Sequence, residues 1–422
     1  MTNGDLHVGS RHIWGVDYEF GISASNRRRH VYVIGQTGTG KSTLLKSLIA
    51  QDIAAGEGLA LIDPHGDLVD EVLDLIPGHR VDDIIVFDPS DPVHTVGINP
   101  FYRVPKDEQA LVASNIVAAL RHVWADSWGP RLEYILLNTI MALLAAPDAC
   151  RATFLSIPRL LVDPEYRKRV LATCDDPRVQ SFFRDEFDQW SDRFLAEALS
   201  PVQNKIGQVV AHPKVRAALC QWRPSFDLDA VLRKRQVLLV RLPKGELGAD
   251  PANLTGSLLV AGLLQAAMRR PPDARTPFHL YIDEFQNFTT EAFATILSEA
   301  RKYALTLTIG HQYLDQLLPT VRSAVLGNVG SLISFRVGAQ DAELMAKELG
   351  DVSAEALRDL VRGEIFVRLS NDVEFQQSFR GRTAVSSLVF GQRGKVVQKS
   401  HRAYGKLRSE VDAQIRRWLN TQ

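Results

Sequence analysis

Cysteine is nearly absent from this chain: three in 422 residues, Cys150, Cys174 and Cys220, widely spaced and without a CxxC pair. A disulfide framework and a cysteine-based zinc site are thereby excluded, and a reducing, cytoplasmic setting is expected. Net charge is missing too, since 49 Lys+Arg balance 49 Asp+Glu. No global field recruits nucleic acid, so any such contact has to come from local basic segments. Long apolar runs are lacking as well. The most apolar helical stretch, from Tyr134 to Ala146, stops at Pro147, short of the ~20 residues a membrane span needs. Met1 to Gly9 is polar, with no basic segment leading into an apolar one, so neither a signal peptide nor an integral membrane segment is expected. Internal repeats and low-complexity tracts are not found.

What the chain does have is length and apolar content enough for more than one domain. Continuous apolar runs ending in a polar residue occur at Gly58–Asp63 and Ile84–Asp88, and further strands are read at Val31–Ile34, Val237–Leu242, Phe278–Asp283, Leu305–Gly310, Ser331–Val337 and Ile365–Leu369. Such runs suit strands buried on both faces of a parallel sheet. Helical stretches lie between them, notably about Asn253–Arg270, Glu291–Tyr303 and Asp341–Leu349. Alternating strands and helices predict a doubly wound α/β sheet. A short strand is expected over Trp14–Ile22, followed by a basic turn, Arg27-Arg28-Arg29-His30, read as solvated or as a contact to nucleotide or a neighbouring subunit. Between about Pro105 and Lys234 the strand runs cease. Helical spacing (Leu111, Asn115, Ala118, Ala119; then Val170, Leu171, Cys174) and repeated prolines take over. The expected organisation is therefore a core over 1–104 and 235–382, an inserted all-helical domain over 105–234, and a basic tail over 383–422. That tail carries Arg393, Lys395, Lys399, Arg402, Lys406, Arg408, Arg416 and Arg417 against Glu410 and Asp412. It reads as a partly disordered solvated extension, or as a contact to phosphate backbone or a partner, ending in a short helix with Val411, Ile415 and Leu419 on one side.

The most specific signal is Gly35-Gln36-Thr37-Gly38-Thr39-Gly40-Lys41-Ser42, followed by Thr43. It fits GxxxxGK[ST], with an apolar strand entering and a helical pattern leaving. At average glycine usage the four fixed positions match by chance on the order of 0.01–0.02 times in such a chain. The glycines let successive backbone N–H groups and a helix N-terminus face phosphates. Lys41 would reach the β- and γ-phosphates of ATP, and the Ser42 hydroxyl would ligand Mg²⁺.

A second half-site follows 242 residues after Lys41, where Phe278-His279-Leu280-Tyr281-Ile282 ends in Asp283-Glu284. Opposite a P-loop, the first acid would order the Mg²⁺ shell and the second would polarise the attacking water. Arg301, at the end of the next helical stretch, has two readings. It is an arginine finger for a neighbour's γ-phosphate, or a helix C-terminal cation set against the macrodipole. Gln312, at the tip of the Leu305–His311 run, could bond the γ-phosphate or the lytic water, whereas His311 reads as packed.

Taken in order, GQTGTGKST (from Gly35), IDPHGD (from Ile62), YIDEFQNF (from Tyr281), LSEARKY (from Leu297), GHQYLDQL (from Gly310) and FRVGAQDAELMAKELG (from Phe335) resemble the TraG/TraD-like conjugative coupling ATPases of the FtsK–HerA superfamily. The likeness spans roughly 26–382. It implies a RecA-like P-loop core with a mostly parallel sheet flanked by helices and an inserted all-α domain. It also implies a hexameric ring hydrolysing ATP with Mg²⁺ to pump DNA, with relaxase or type IV secretion components as partners, peripheral to the inner membrane. An ATPase for protein export or assembly, a HerA-like DNA-processing motor and a nucleotide-dependent switch are the alternatives. The resemblance puts Arg301 at the finger position and Gln312 at that of the γ-phosphate sensor. It leaves Arg336 as a second trans-acting candidate, and Asp63 and His65 facing the nucleotide crevice or shaping its loop. The family's membrane-bound members carry an N-terminal transmembrane anchor, which this sequence does not show.

Overall fold

A strand buried on both faces needs apolar residues at every position, and Val31–Ile34, Gly58–Asp63, Ile84–Phe87 and Leu305–His311 are buried throughout. The computed structural model describes residues 5–290, 292–370, 377–384 and 389–420. Among these, eleven strands form one sheet. Its order from one edge to the other is Val16–Ile22, Leu6–Ile13, Phe379–Thr383, Glu364–Arg368, Ser331–Ser334, Val31–Ile34, Leu305–His311, Phe278–Ile282, Gly58–Asp63, Val237–Arg241 and Ile84–Phe87. The seven strands from Ser331–Ser334 onward pair in parallel, and the four before them are antiparallel. Helices cover this sheet, so the fold is α/β with a mostly parallel sheet, as the alternation of patterns leads one to expect.

The chain separates into two compact units. The first takes 1–87, 228–242 and 263–403; the second takes 88–227, 243–262 and 404–422. The first holds the large sheet. The second is built mainly of helices, among them Gln109–Val123, Pro130–Leu144 and Asp192–Ala211, with a two-stranded ribbon of His94–Thr95 and Lys406–Leu407. The helical texture read over 105–234 thus falls mostly in a unit that also draws on 88–104, 243–262 and 404–422.

Several local expectations change. The single strand expected over Trp14–Ile22 is a hairpin, Leu6–Ile13 with Val16–Ile22, turning at Trp14 and Gly15, both with positive φ. Its first strand was hidden because His7, Ser10, Arg11 and His12 break the apolar pattern, and its second half is largely exposed. The basic turn is not solvated throughout. Arg27 is buried, and its guanidinium donates to both carboxylate oxygens of Asp52 at 2.7 and 2.6 Å, while the Tyr281 hydroxyl donates to Asp52 at 2.5 Å. His30 is buried too. The described part of the basic tail is helical over Arg393–Tyr404 and Arg408–Asn420. Val411 and Ile415 are buried, but Leu419 is 49% exposed. In the Gln109–Val123 helix the inward face is Val112, Ile116, Val117 and Leu120, and Leu111 points outward. The run Ser331–Val337 is strand only to Ser334. The helix expected from Glu291 runs over Ala292–Glu299, and Glu291 itself lies outside the described residues. No helix among the described residues is long and apolar enough to cross a membrane.

Candidate nucleotide site

Parallel pairing aligns strand ends. Val31–Ile34 runs beside Leu305–His311, which runs beside Phe278–Ile282, which runs beside Gly58–Asp63. Their C-terminal ends deliver the P-loop, Gln312, the Asp283-Glu284 pair and Asp63 to one crevice, where parallel α/β sheets bind ligands. Here a linear separation of 241 residues closes to a side-chain contact. The Ser42 hydroxyl lies 3.4 Å from an Asp283 oxygen.

Backbone contacts fix the loop. Gly35 N–H donates to His311 O at 3.2 Å, Gln36 N–H to Arg336 O at 2.9 Å, and Gly363 N–H to Thr39 O at 2.9 Å. Gly40 takes φ 122°, a conformation closed to side chains, and directly precedes the Lys41–Ala54 helix. Gln36, Thr37 and Gly38 form an exposed apex, and Thr43 lies in the first turn of that helix. Lys41 is buried and folds onto its own loop, donating from Nζ to Gly35 O at 2.5 Å and to Gln36 O at 3.3 Å. Burial lowers its pKa, with Glu284 and Asp283 opposing that shift.

Opposite it stand three acids. Asp283 is pushed up to about 6, first by burial, then by the charges of Glu284 and Asp63, with Lys41 working against the rise. Asp63 is buried and accepts from His65 N–H at 2.9 Å and Val69 N–H at 3.1 Å, so it caps the Asp67–Leu73 helix. Glu284 is buried with φ 46°, a strained backbone for a side-chain-bearing residue. Gln312 Nε2 donates to one of its carboxylate oxygens at 2.7 Å, and Gln286 Nε2 donates to the other at 2.9 Å. The Thr37 hydroxyl in turn donates to the Gln312 side-chain oxygen at 3.2 Å. Gln312 therefore bridges the P-loop and the second acid.

Other candidates sit apart. His311 is fully buried, with Nδ1 3.0 Å from the Tyr32 hydroxyl, and burial pushes its pKa down to about 3. It packs as a neutral ring. His65 is exposed, as is Arg336, whose carbonyl braces the loop. Arg301 is exposed at the N-terminal end of Leu305–His311, the far end of a seven-residue strand that spans roughly 20 Å. It is not brought to this chain's own crevice. Around it, Arg270 donates to Tyr303 O at 2.5 Å and Arg275 to Lys302 O at 3.0 Å. His30 Nε2 holds Leu297 O at 3.0 Å, and burial keeps that imidazole near pKa 4.

Gln286 and Asp341 were not singled out from sequence. Asp341 accepts from Leu314 N–H at 3.2 Å and so anchors the loop after Gln312. Both lie inside quoted motifs, two residues after Glu284 and six after Phe335. Position within a motif was the only signal, since their roles depend on strands that meet in space.

The donor set fits a nucleoside triphosphate with a divalent cation. An ammonium surrounded by loop carbonyls can turn to phosphate oxygens. A hydroxyl beside a carboxylate of raised pKa can complete a hard-cation shell, and a cation there would relieve the crowding of acids. Fold and site together define a P-loop NTPase.

Comparison with known proteins agrees. The model for the central domain of helicase HerA matches residues 10–113. The type 4 coupling protein DotL of Legionella pneumophila is 20% identical over 353 residues, covering 70% of this chain and 45% of DotL, so this chain spans less than half of that relative. The plasmid coupling protein TrwB, bound to a non-hydrolysable ATP analogue, superposes with TM-score 0.65 at 16% identity over 92% of this chain and 91% of TrwB. VirB4 of Thermoanaerobacter pseudethanolicus superposes with TM-score 0.59 at 13% identity over 92% and 98%. TrwB has also been seen with ADP and Mg²⁺. The chain thus has the fold of the conjugative coupling ATPases, the family its motifs resemble.

Proposed function

We propose that this protein is an ATP-hydrolysing DNA translocase of the coupling type, acting as a ring of subunits with ATP and Mg²⁺ bound at the crevice. The observation that carries the reading is the buried Glu284 carboxylate, fixed from both sides by glutamine amides and linked through Gln312 and Thr37 to the P-loop. In this reading Lys41 and the backbone of 35–43 hold the phosphates. Ser42 and Asp283 hold the metal, whose charge favours phosphoryl transfer. Glu284 accepts a proton from the attacking water, and Gln312 reports the γ-phosphate to it. Arg301, remote from its own crevice, serves a neighbour's, with Arg336 as the alternative donor. Relaxase or other type IV secretion components are the expected partners, at the cytoplasmic face of the inner membrane.

The helical segment over 105–234 is proposed as a recognition domain separable from the motor. That 105–227 of it falls in the second, mainly helical unit, together with 88–104, 243–262 and 404–422, supports this. Excising it behind a short linker should leave a core that binds ATP, and a core that fails to fold under several linker designs counts against the boundary. The deciding experiment for the function is the ATPase rate with and without single- and double-stranded DNA. Stimulation by DNA is expected. A rate indifferent to DNA would favour the second reading, an ATPase for protein export or assembly, which the zero formal charge of the chain favours.

A further inference from the structure

The second unit contains a cavity of about 140 Å³ whose walls come from three separate stretches of chain, around Arg151, around Trp222 and along the C-terminal helix. Val411 and Ile415 close it with buried apolar surface, and the strand Lys406–Leu407 brings Lys406 to its edge by pairing with His94–Thr95. Three cations converge there. The guanidinium carbons of Arg151 and Arg223 lie 5.8 and 4.9 Å from the Trp222 ring centre. Lys406 Nζ donates to Gln221 Oε1 at 3.0 Å. Gln221 is itself buried and pinned by Ala217 O at 2.9 Å, and it packs where only Gly97 leaves room, since a Cβ there would stand 2.5 Å from its side chain. The ammonium is therefore held in place rather than free to swing away.

No carboxylate lines the cavity; Asp148, whose pKa is lowered by the hydrogen bond from Arg103 and by the charges of Arg103 and Arg223, lies outside its lining. Burial and the neighbouring Arg223 both lower the pKa of Lys406, the mark of a positive charge set against its like. Arg151 also holds φ 50°, a strained backbone for arginine. Like charges gathered where no carboxylate enters the lining raise the local potential and favour an anion between them.

We propose that this cavity binds a phosphate group of a nucleic-acid strand and is a DNA contact outside the nucleotide crevice. The inference rests on the DNA-motor reading and names residues through which the strand is held. Arginine forks and a lysine point charge suit phosphate oxygens, and the Trp222 ring, set against Arg151 and Arg223, helps hold the two guanidinium groups at the cavity. The space admits a phosphodiester, so the strand would lie across the opening with one phosphate inserted. An acidic peptide is the alternative occupant that the test below separates from a nucleic-acid strand. The basic tail acquires a structural role here, since its last helix is a wall of the cavity.

The test is anisotropy of a labelled oligothymidylate with the full chain over a series of salt concentrations. Arg223→Ala and Lys406→Ala should each flatten the log–log salt slope by about one contact. Arg223→Glu combined with Lys406→Glu should weaken binding by about tenfold or more, with DNA-independent ATP hydrolysis unchanged. Exposed Arg223 makes a folding failure improbable there, and Arg223→Gln with a melting curve controls for it. Unchanged affinity and slope in these variants would overturn the proposal, while DNA-stimulated hydrolysis in the same variants would leave the motor reading standing. If wild type neither binds the oligonucleotide nor responds to DNA, the motor reading itself falls. Displacement of the oligonucleotide by inorganic phosphate at equal phosphate concentration would overturn the nucleic-acid assignment in favour of a free small anion. Binding of a polyglutamate peptide that is lost in the double variant, with oligonucleotide binding intact, would overturn it in favour of a protein partner.

Discussion

At the C-terminal ends of the parallel strands the chain gathers Lys41, Asp63, Asp283 and Glu284 around an open, glycine-containing loop, whereas at their N-terminal ends it exposes Arg28 and Arg301 beside the buried His30. In the proposed reading the first end binds and activates, yet among the described residues the hydrogen-bonding side-chain partners of Asp283 and Glu284 are Ser42, Gln286 and Gln312, and not an arginine. The second end offers the exposed Arg28 and Arg301 instead. Each is half of what phosphoryl transfer uses. Two ends of one body carrying complementary halves suit a head-to-tail interface, which closes into a ring when its rotation permits.

The sharpest way to break this comparison is to disable one end and ask whether the other suffers. Arg301→Ala should leave ATP binding and assembly intact and lower hydrolysis by about 10³–10⁵, the usual worth of a finger. Mixing Arg301→Ala with Lys41→Ala subunits, each inactive alone, should restore part of the activity in mixed rings. Full activity of Arg301→Ala by itself would remove the residue from the mechanism and turn attention to Arg336.

Next in size is Glu284→Gln, which keeps the shape and the amide neighbours but cannot take a proton. It should bind ATP and trap it, with turnover reduced by about 10²–10⁴, read as bound γ-phosphate per subunit after a chase. Hydrolysis at the wild-type rate would mean that the second acid is misassigned.

A stability probe lies between the two ends. Arg27→Ala removes the guanidinium from the buried Asp52 carboxylate and leaves it the Tyr281 hydroxyl as its side-chain partner among the described residues. The expected cost is about 3–5 kcal/mol, measured by denaturant unfolding. Arg28→Ala, one residue on and exposed, should stay within about 0.5 kcal/mol. Equal effects would mean that the basic run acts as one solvated unit after all.

The smallest effect is a pH dependence at the acidic end. Folding raises the Asp283 pKa from 3.8 to about 6, so in the nucleotide-free protein the stability linked to its protonated form is complete below about 4 and lost as pH rises through about 6. A bound divalent cation favours the ionised form. Metal-dependent nucleotide affinity should therefore weaken by up to about tenfold per pH unit below about 6, and metal binding near pH 6 should release a proton detectable by calorimetry in two buffers. Asp283→Asn should raise the melting temperature of the metal-free protein at pH 7 and abolish this pH dependence. Dependence unchanged in that variant would place the titration elsewhere.

How far the sequence could be read followed from the range of the signals. Buried parallel strands are apolar at every position, so Val31–Ile34 and Gly58–Asp63 stand out. The P-loop stands out because its residue types are set by contact with a phosphate inside one short segment. Leu6–Ile13 was missed, because a strand whose second half is largely exposed keeps no such pattern. Arg27 was misread for the opposite reason: its charge advertises a surface, and only Asp52 and Tyr281 reveal a buried partner. Glu284 was legible as an acid at a strand end. Its fixation by Gln286 and Gln312 was not, because that depends on two strands lying side by side.

The sequence by itself determined the α/β class, the phosphate loop, the acid pair and the absence of a disulfide framework, since each is dictated within a few neighbouring residues by backbone conformation, burial period or composition. Only the tertiary structure decided that the parallel sheet continues into four antiparallel strands. It also decided that Arg301 lies at the end of the sheet away from its own crevice, and that the basic tail folds back to wall a cationic cavity with Arg151 and Arg223. These are matters of strand order and of side chains converging from distant segments. No local pattern encodes them, because the energy that selects them comes from packing and charge pairing between residues hundreds of positions apart.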